Sequence, residues 1–244
     1  MYQDVAIIIP ARLGSTRLKE KAIQLIGGMT MIEHTYRKAL LLGIENLYVA
    51  TDAKQIADVI EGIGGHVIMT DESCPSGSDR IYEALGKIPN KAQIKYVINL
   101  QGDLPLIDPA IMIDIIAKLK STDADIVTAV SEISEGKATM PSNVKVVVSD
   151  KDKALYFSRS MIPYNADKYW YHIGIYGYSI SALEKFVSLK PSRLENIEKL
   201  EQLRALENNM DIYVCYSDDI PISVDTQEDL DEVRKIFAST KSLI

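Results

Sequence analysis

Cysteine is scarce in this chain. Its 244 residues hold two, Cys74 and Cys215, and two thiols far apart in sequence supply neither a four-ligand metal site nor a disulfide framework; both are expected to be reduced. The first loop lacks a GxGxxG fingerprint, which sets aside a dinucleotide-binding dehydrogenase. The N-terminus shows no charged-then-apolar signal pattern, and its AIII run is too short for a signal core or a membrane span. No low-complexity tract, internal repeat or linker interrupts the chain, so the expectation is one soluble, cytoplasmic protein. An excess of positive charge is missing as well. The net charge of −7 argues against general nucleic-acid binding and makes the cations clustered near the N-terminus more notable.

Those cations lie in residues 6–21, AIIIPARLGSTRLKEK. Ala6 to Ile9 reads as a buried strand stopped by Pro10. Arg12, Arg17, Lys19 and Lys21 follow, with Gly14, Ser15 and Thr16 among them. Small residues let backbone N–H groups approach phosphate oxygens while cations neutralise them. The stretch reads either as an anion site or as a solvated basic loop, since it matches no formal phosphate-loop motif.

The chain then alternates in a way that predicts an α/β fold. A capping box Thr30-Met-Ile-Glu33 opens a helix whose apolar face is Met31, Ile32, Thr35, Tyr36, Ala39 and Leu40. Residues 46–51 read as a strand, Asp52 as a cap for a helix over 53–63, and residues 66–69 as a third strand. This β-α-β-α-β order implies a parallel sheet with ligands beyond the carboxyl ends of its strands. The polar loop at 70–79 contains Ser76-Gly77-Ser78 and leads into a helix with Arg80 in its first turn. It reads as a ligand loop or as a plain turn. Residues 96–100, YVINL, form a central strand ending in Gln101-Gly102-Asp103. Asp103 is expected to serve a site, because Asp108 already precedes Pro109 as the cap of the next helix.

The second half changes pattern. Residues 143–148 and 154–158 flank the turn at 149–152 as an antiparallel hairpin. The segment 171–178, YHIGIYGY, alternates like a strand, with Gly174 and Gly177 allowing close approach. His172 within it reads as a hydrogen-bonded structural histidine or as a pocket residue. Residues 194–208 read as one long helix with Leu194, Ile197, Leu200, Leu203 and Leu206 buried. Glu195, Glu198, Lys199, Glu201 and Gln202 then lie on a solvated face. A last strand at 211–215 and the box Thr226-Gln-Glu-Asp229 follow, and Asp225, one residue before that cap, is free for another task.

Taken together, IPARxxSTRL followed by a lysine, SGSDR, QGDxP, ALYFSRxxIP, YHIGIYGY, LExxEKLEQLRALE and VDTxEDL occur in order. This set resembles the 3-deoxy-manno-octulosonate (Kdo) cytidylyltransferase family across nearly the whole chain. The resemblance implies a single GT-A-like α/β nucleotidyltransferase domain over 1–244, with a mostly parallel central sheet and an antiparallel hairpin subregion. Residues 1–130 would mainly bind CTP, 131–210 the acid sugar and the partner of a homodimer, and 211–244 would close the site with a metal ligand. It implies CMP transfer from CTP to Kdo, a Mg²⁺ requirement and a place in lipopolysaccharide assembly, with 8-amino-3,8-dideoxy-manno-octulosonate or another acidic sugar as the alternative acceptor. A non-catalytic nucleotide-binding protein is the rival of another class.

Residue by residue, the resemblance places Pro10, Ala11, Arg12, Ser15, Lys21, Ser76, Gly77, Arg80 and Gln101 around the nucleotide. Asp103 and Asp225 would hold Mg²⁺, and with Arg12 and Lys21 make up the catalytic set. Gln101, Arg159, His172, Tyr176, Glu201 and Gln202 would bind Kdo. Three departures stand out: Leu104 replaces the usual glutamate of QGDEP, Lys19-Glu20 replaces a proline-glycine pair before the loop lysine, and Ser223 replaces a glycine before VDT.

Overall fold

The computed structural model describes residues 2–14 and 17–241. In chain order it begins with β1 (Val5–Ala11), β2 (Leu25–Ile26), β3 (Met29–Thr30), α1 (Met31–Leu40), β4 (Leu47–Thr51), α2 (Lys54–Gly62), β5 (His66–Met69) and α3 (Gly77–Lys87). There follow β6 (Tyr96–Asn99), α4 (Pro109–Ser121), β7 (Ile126–Ile133), α5 (Glu135–Ala138), β8 (Lys145–Val148), β9 (Ala154–Ser158) and β10 (Tyr169–Ser179). The chain closes with α6 (Ile180–Ser188), α7 (Arg193–Glu198), α8 (Leu203–Glu207), β11 (Ile212–Tyr216) and α9 (Gln227–Lys241). These elements form two compact units, one comprising Met1–Ile94, Asn99–Pro109 and Pro221–Ile244, the other Lys95–Ile98 and Ala110–Ile220.

In the first unit β1, β4 and β5 lie side by side and parallel, as the alternating pattern predicts. Ile7, Ile8 and Ile9 are fully buried, each worth roughly 1.5–3 kcal/mol of apolar burial. The strand runs past Pro10 to Ala11, in register with Ala50 and Thr51, because a proline near a strand end costs a single ladder bond. Helices α1 and α3 pack against β1. Only half of the expected capping box opens α1: the Thr30 hydroxyl accepts from the Glu33 N–H, while the Glu33 carboxylate pairs with Arg37. Leu40 is 53 % exposed, off the buried face. The β2–β3 hairpin was not anticipated. Its turn, Gly27-Gly28, has positive φ at both positions, which a tight hairpin demands and glycine supplies.

In the second unit the strand order is β11-β7-β10-β6, with β8 on β10 and β9 on β8. The predicted hairpin is present as antiparallel β8–β9. Antiparallel pairing extends further than the hairpin, since β10 also runs antiparallel to β7, while β11 is parallel to it. Of the two glycines read as permitting close approach in β10, Gly177 does so. A Cβ there would lie 2.5 Å from Ile115 and 2.6 Å from Leu119 on α4, whereas at Gly174 it would meet nothing within 4 Å. The expected long helix at 194–208 is two short ones. Lys199 adopts the left-handed region at φ 56° and ends α7. Ile197 is 63 % exposed rather than buried, and Gln202 is buried rather than solvated.

Candidate active site

A cavity of about 320 Å³ opens in the first unit at the carboxyl ends of its strands. The end of β1 contributes Pro10 and Ala11 to its lining, and the segment after it Arg12, Gly14, Arg17 and Lys21. Cys74 and Ser76 come from the approach to α3, Gly77 and Arg80 from its first turn, Gln101, Gly102 and Asp103 from the segment after β6, and Asp225 from the approach to α9. Every nucleotide residue expected from the sequence is in this set except Ser15, which lies outside the described residues. The exposed Arg12 and Arg17 supply positive charge at its rim.

At the acidic side of the cavity Lys21 bridges the two carboxylates read as metal ligands. Its Nζ donates to Asp103 Oδ2 at 2.7 Å and to Asp225 Oδ1 at 2.9 Å. Arg17 donates to the other Asp225 oxygen at 3.0 Å. Burial by itself would lower the Lys21 pKa, but the charges and hydrogen bonds of Asp103 and Asp225 outweigh it and raise the value. The pair is assembled by the backbone, because the Val224 N–H donates to the Asp103 carbonyl at 3.0 Å. Asp229 fixes the chain there, accepting from the N–H groups of Asp225 and Thr226. Val224 is buried with Leu18, Ile26, Met31, Leu230 and Val233.

Two carboxylate oxygens that converge on one ammonium are disposed to share one cation. The donor set is all oxygen, which suits a hard divalent ion that keeps several waters and takes phosphate oxygens as further ligands. Among the described residues no group of three or more His, Cys, Asp or Glu is placed to hold a metal. Asp103 and Asp225 are the carboxylates of this cavity that could hold such an ion.

The neighbouring loops are shaped for close approach. A Cβ on Gly102 would come within 3.1 Å of Ile32 and 3.3 Å of the Pro10 carbonyl, so a side chain there would push the QGD segment and the end of β1 apart by a few tenths of an ångström. Ser76 caps α3, its hydroxyl accepting from the Asp79 N–H and donating to the Asp79 carboxylate. Arg80 is almost fully buried, with Nη1 on the Thr70 hydroxyl at 2.5 Å and Nη2 on Asp52 at 2.8 Å. Asp52 thus does not cap α2 as expected; its N-cap is Ala53, without a side-chain bond, because Asp52 is engaged by the buried guanidinium.

Of the residues expected to meet the acid sugar, Gln101 lies in the first unit and lines its cavity, whereas Arg159, His172, Tyr176, Glu201 and Gln202 lie in the second. His172, Tyr176 and Gln202 form a cluster there. The His172 Nε2 is 3.0 Å from the Thr128 hydroxyl, and Nδ1 is 3.5 Å from the Gln202 amide nitrogen. Thr128 donates to the Ile175 carbonyl at 2.7 Å, at an irregularity of β10 between Ile173 and Tyr176. If Thr128 spends its proton there, the imidazole donates from Nε2 and accepts from Gln202 at Nδ1, a neutral tautomer. Burial pushes the His172 pKa down to about 3 and the Tyr176 hydroxyl well above its usual value. The His172 ring packs edge-on to Phe157 and against Tyr176. Glu201 lies 3.8 Å from the Arg204 guanidinium, which is bonded to Glu195. Arg159 donates to the carbonyls of Glu198, Pro141 and Lys199. Thr128, Lys145 and Glu198 take part in these networks without having been singled out. A threonine or lysine inside an apolar strand was the available signal for the first two.

The sequence model of the cytidylyltransferase family matches residues 6–212. The chain belongs to this family. A Rickettsia felis protein named 3-deoxy-manno-octulosonate cytidylyltransferase is 50 % identical over 242 residues, spanning 99 % of this chain and 98 % of the relative. A Rickettsia canadensis protein of the same name is 49 % identical over 99 % of each. Among solved structures, a CMP:2-keto-3-deoxy-manno-octonic acid synthetase complexed with CTP superposes with a TM-score of 0.91 at 36 % identity, covering 97 % of this chain and 99 % of that one. A 4-diphosphocytidyl-2C-methyl-D-erythritol synthase from Anaerococcus prevotii shares the fold at a TM-score of 0.66 and 17 % identity, covering 96 % and 98 %.

Within a cytidylyltransferase the three departures have distinct physical settings. Leu104 is buried, where a glutamate would need a partner. Glu20 has φ 51° and ψ 39° at the start of the turn that carries Lys21. That left-handed conformation suits glycine and costs another residue roughly 1–2 kcal/mol. Ser223 is half-buried beside Val224.

Proposed function

We propose that the protein transfers CMP from CTP to 3-deoxy-manno-octulosonate and releases pyrophosphate, with Mg²⁺ as cofactor, activating the sugar for lipopolysaccharide assembly. The observation that carries this reading is the cavity in which Lys21, Asp103 and Asp225 meet below the Gly77 and Gly102 loops. Full-length relatives near 50 % identity that bear the Kdo cytidylyltransferase name support the choice of sugar.

The acceptor hydroxyl forms a bond to the α-phosphorus as the bond to pyrophosphate breaks, so catalysis consists of positioning and charge neutralisation. Arg12 and Lys21 neutralise the departing pyrophosphate. Asp103 and Asp225 are the residues that would hold Mg²⁺, which lowers the charge on the triphosphate and eases deprotonation of the hydroxyl. Ser76, Gly77, Arg80 and Gln101 surround the nucleoside. Gln101 also serves the sugar, and Ser15 completes the triphosphate loop.

For the acceptor, Arg159 binds the carboxylate, and His172, Tyr176, Glu201 and Gln202 share the hydroxyls. With a pKa of about 3, His172 is neutral at pH 7 and positions rather than removes protons. The protein works in the cytoplasm; among the described residues no helix is long and apolar enough to cross a membrane. It acts as a homodimer built on the hairpin region, a placement supported by exposed Leu155, Met161 and Tyr164 in and after the outer strand β9.

Pyrophosphate release from CTP and Mg²⁺, measured with Kdo, with 8-amino-3,8-dideoxy-manno-octulosonate and with no sugar, tests the assignment. Turnover fastest with Kdo is expected. Turnover with the amino sugar alone would change the acceptor, and CTP binding without a CMP-sugar from any acid would leave a non-catalytic nucleotide-binding protein. Light scattering at assay concentration tests the dimer.

A further inference from the structure

Arg159 is clamped at both ends of its own backbone by charged side chains. Its N–H donates to Glu198 Oε2 at 2.9 Å, and its carbonyl accepts from Lys145 Nζ at 2.6 Å. The other Glu198 oxygen accepts from the buried Ser158 hydroxyl at 2.7 Å. Lys145 is fully buried, and its ammonium also meets the carbonyls of Met140 and Asn143 at 3.0 and 2.5 Å. All three of its protons are thus taken by backbone oxygens. A buried ammonium answered by carbonyls is an expensive way to hold a loop, because its desolvation is offset by dipoles rather than by a charge.

The same elements hold the Arg159 side chain. The left-handed turn at Lys199 stops α7. In a continuing helix the Glu198 and Lys199 carbonyls would accept from residues four positions on; here they accept from Arg159 Nε at 2.8 Å and Nη2 at 3.4 Å. The Pro141 carbonyl accepts from Nη1 at 3.1 Å. Beyond these bonds each terminal nitrogen carries a second N–H, the fork that a carboxylate accepts in a bidentate contact. Lys145, Arg159 and Glu198 together carry one net positive charge, which suits an anionic ligand.

We infer that Glu198 and Lys145 are positioning residues for acceptor recognition, acting through Arg159 by fixing its backbone and preorienting its guanidinium for the sugar carboxylate. This rests on the reading of Arg159 as the carboxylate-binding residue. Neither residue touches the acceptor. A glutamine at 198 keeps the shape but presents an amide N–H where one acceptor oxygen was needed. The guanidinium then loses its fixed orientation while the nucleotide cavity is untouched.

A double-mutant cycle tests this. Glu198→Gln is expected to raise the KM for Kdo about tenfold, the scale of one charge-assisted hydrogen bond, with the KM for CTP and kcat within about twofold of wild type. In the Arg159→Ala background, where the KM for Kdo is already raised, the same change is expected to add less than about twofold. Unchanged Kdo dependence in Arg159→Ala alone would overturn both the acceptor reading and the inference. A raised KM in Arg159→Ala, with a Glu198→Gln effect that is absent or equal in both backgrounds, would overturn the inference and leave the acceptor reading standing. If Glu198→Gln does not fold, Ser158→Ala frees the same carboxylate more gently and goes through the same cycle, with an expected rise of about threefold.

Discussion

His172 offers a sharp test of the buried cluster in the second unit, because its charge state is coupled to folding. Buried between Phe157 and Tyr176 and bonded through both ring nitrogens, it titrates near pH 3 in the folded chain, against an ordinary value of 6.5. The folded pKa is depressed, so below pH 6.5 the unfolded chain binds a proton that the folded chain refuses. Stability therefore falls as pH drops from 6.5 towards 3, by about 1.4 kcal/mol per unit at its steepest. Integrated between pH 7 and pH 5 the loss from this one group is about 2 kcal/mol. Urea unfolding followed by the fluorescence of Trp170, the single tryptophan and a neighbour of His172 on β10, measures it. His172→Gln lowers stability at pH 7 through lost hydrogen bonds, but it should flatten the pH dependence by that same amount relative to wild type. Equal slopes in the two proteins would mean that His172 protonates freely in the folded state, and the neutral, doubly bonded imidazole would have to be abandoned.

Three further outcomes are expected. Asp103→Asn and Asp225→Asn should each lower turnover at least a hundredfold while leaving the thermal midpoint near wild type, and a chelator should abolish activity that added Mg²⁺ restores; near-native rates in either variant would reject the metal pair. Glu20→Gly should relieve the left-handed strain before Lys21 and stabilise by up to about 1 kcal/mol, read as a rise in urea midpoint, whereas a loss of more than that would show that the glutamate side chain is needed. Gly177→Ala should destabilise by about 1–3 kcal/mol, because its methyl would enter the space of Ile115 and Leu119; a neutral result would mean that α4 yields without cost.

Much of the lining of the first-unit cavity was legible because its residues lie close to plain local patterns. Arg12, Lys21 and Asp103 each follow, and Gly77 opens, an element whose periodicity is plain, and the βα order places such positions at one end of the strands. The hairpin β8–β9 and the Thr226–Asp229 cap were readable for the same reason, since turn and cap chemistry depend on residues two to four positions apart. The helix at 194–208 was misread because nothing in its composition marks a break. Lys199 is neither glycine nor proline, and the left-handed turn there is stabilised by bonds from Arg159, forty positions away. Asp52 was misread as a cap because the competing partner, buried Arg80, comes from another element.

Local pattern by itself therefore determined most of the strands, the loops that follow them and the residue types that line the first-unit cavity, because backbone propensity and capping act over a few residues. Only the tertiary structure decided which charges meet. Asp225 reaches Asp103 and Lys21 through a backbone bond from Val224, and Glu198 turns from a solvated helical position to the support of Arg159. Such pairings depend on distances between elements, and those are set by packing rather than by spacing along the chain.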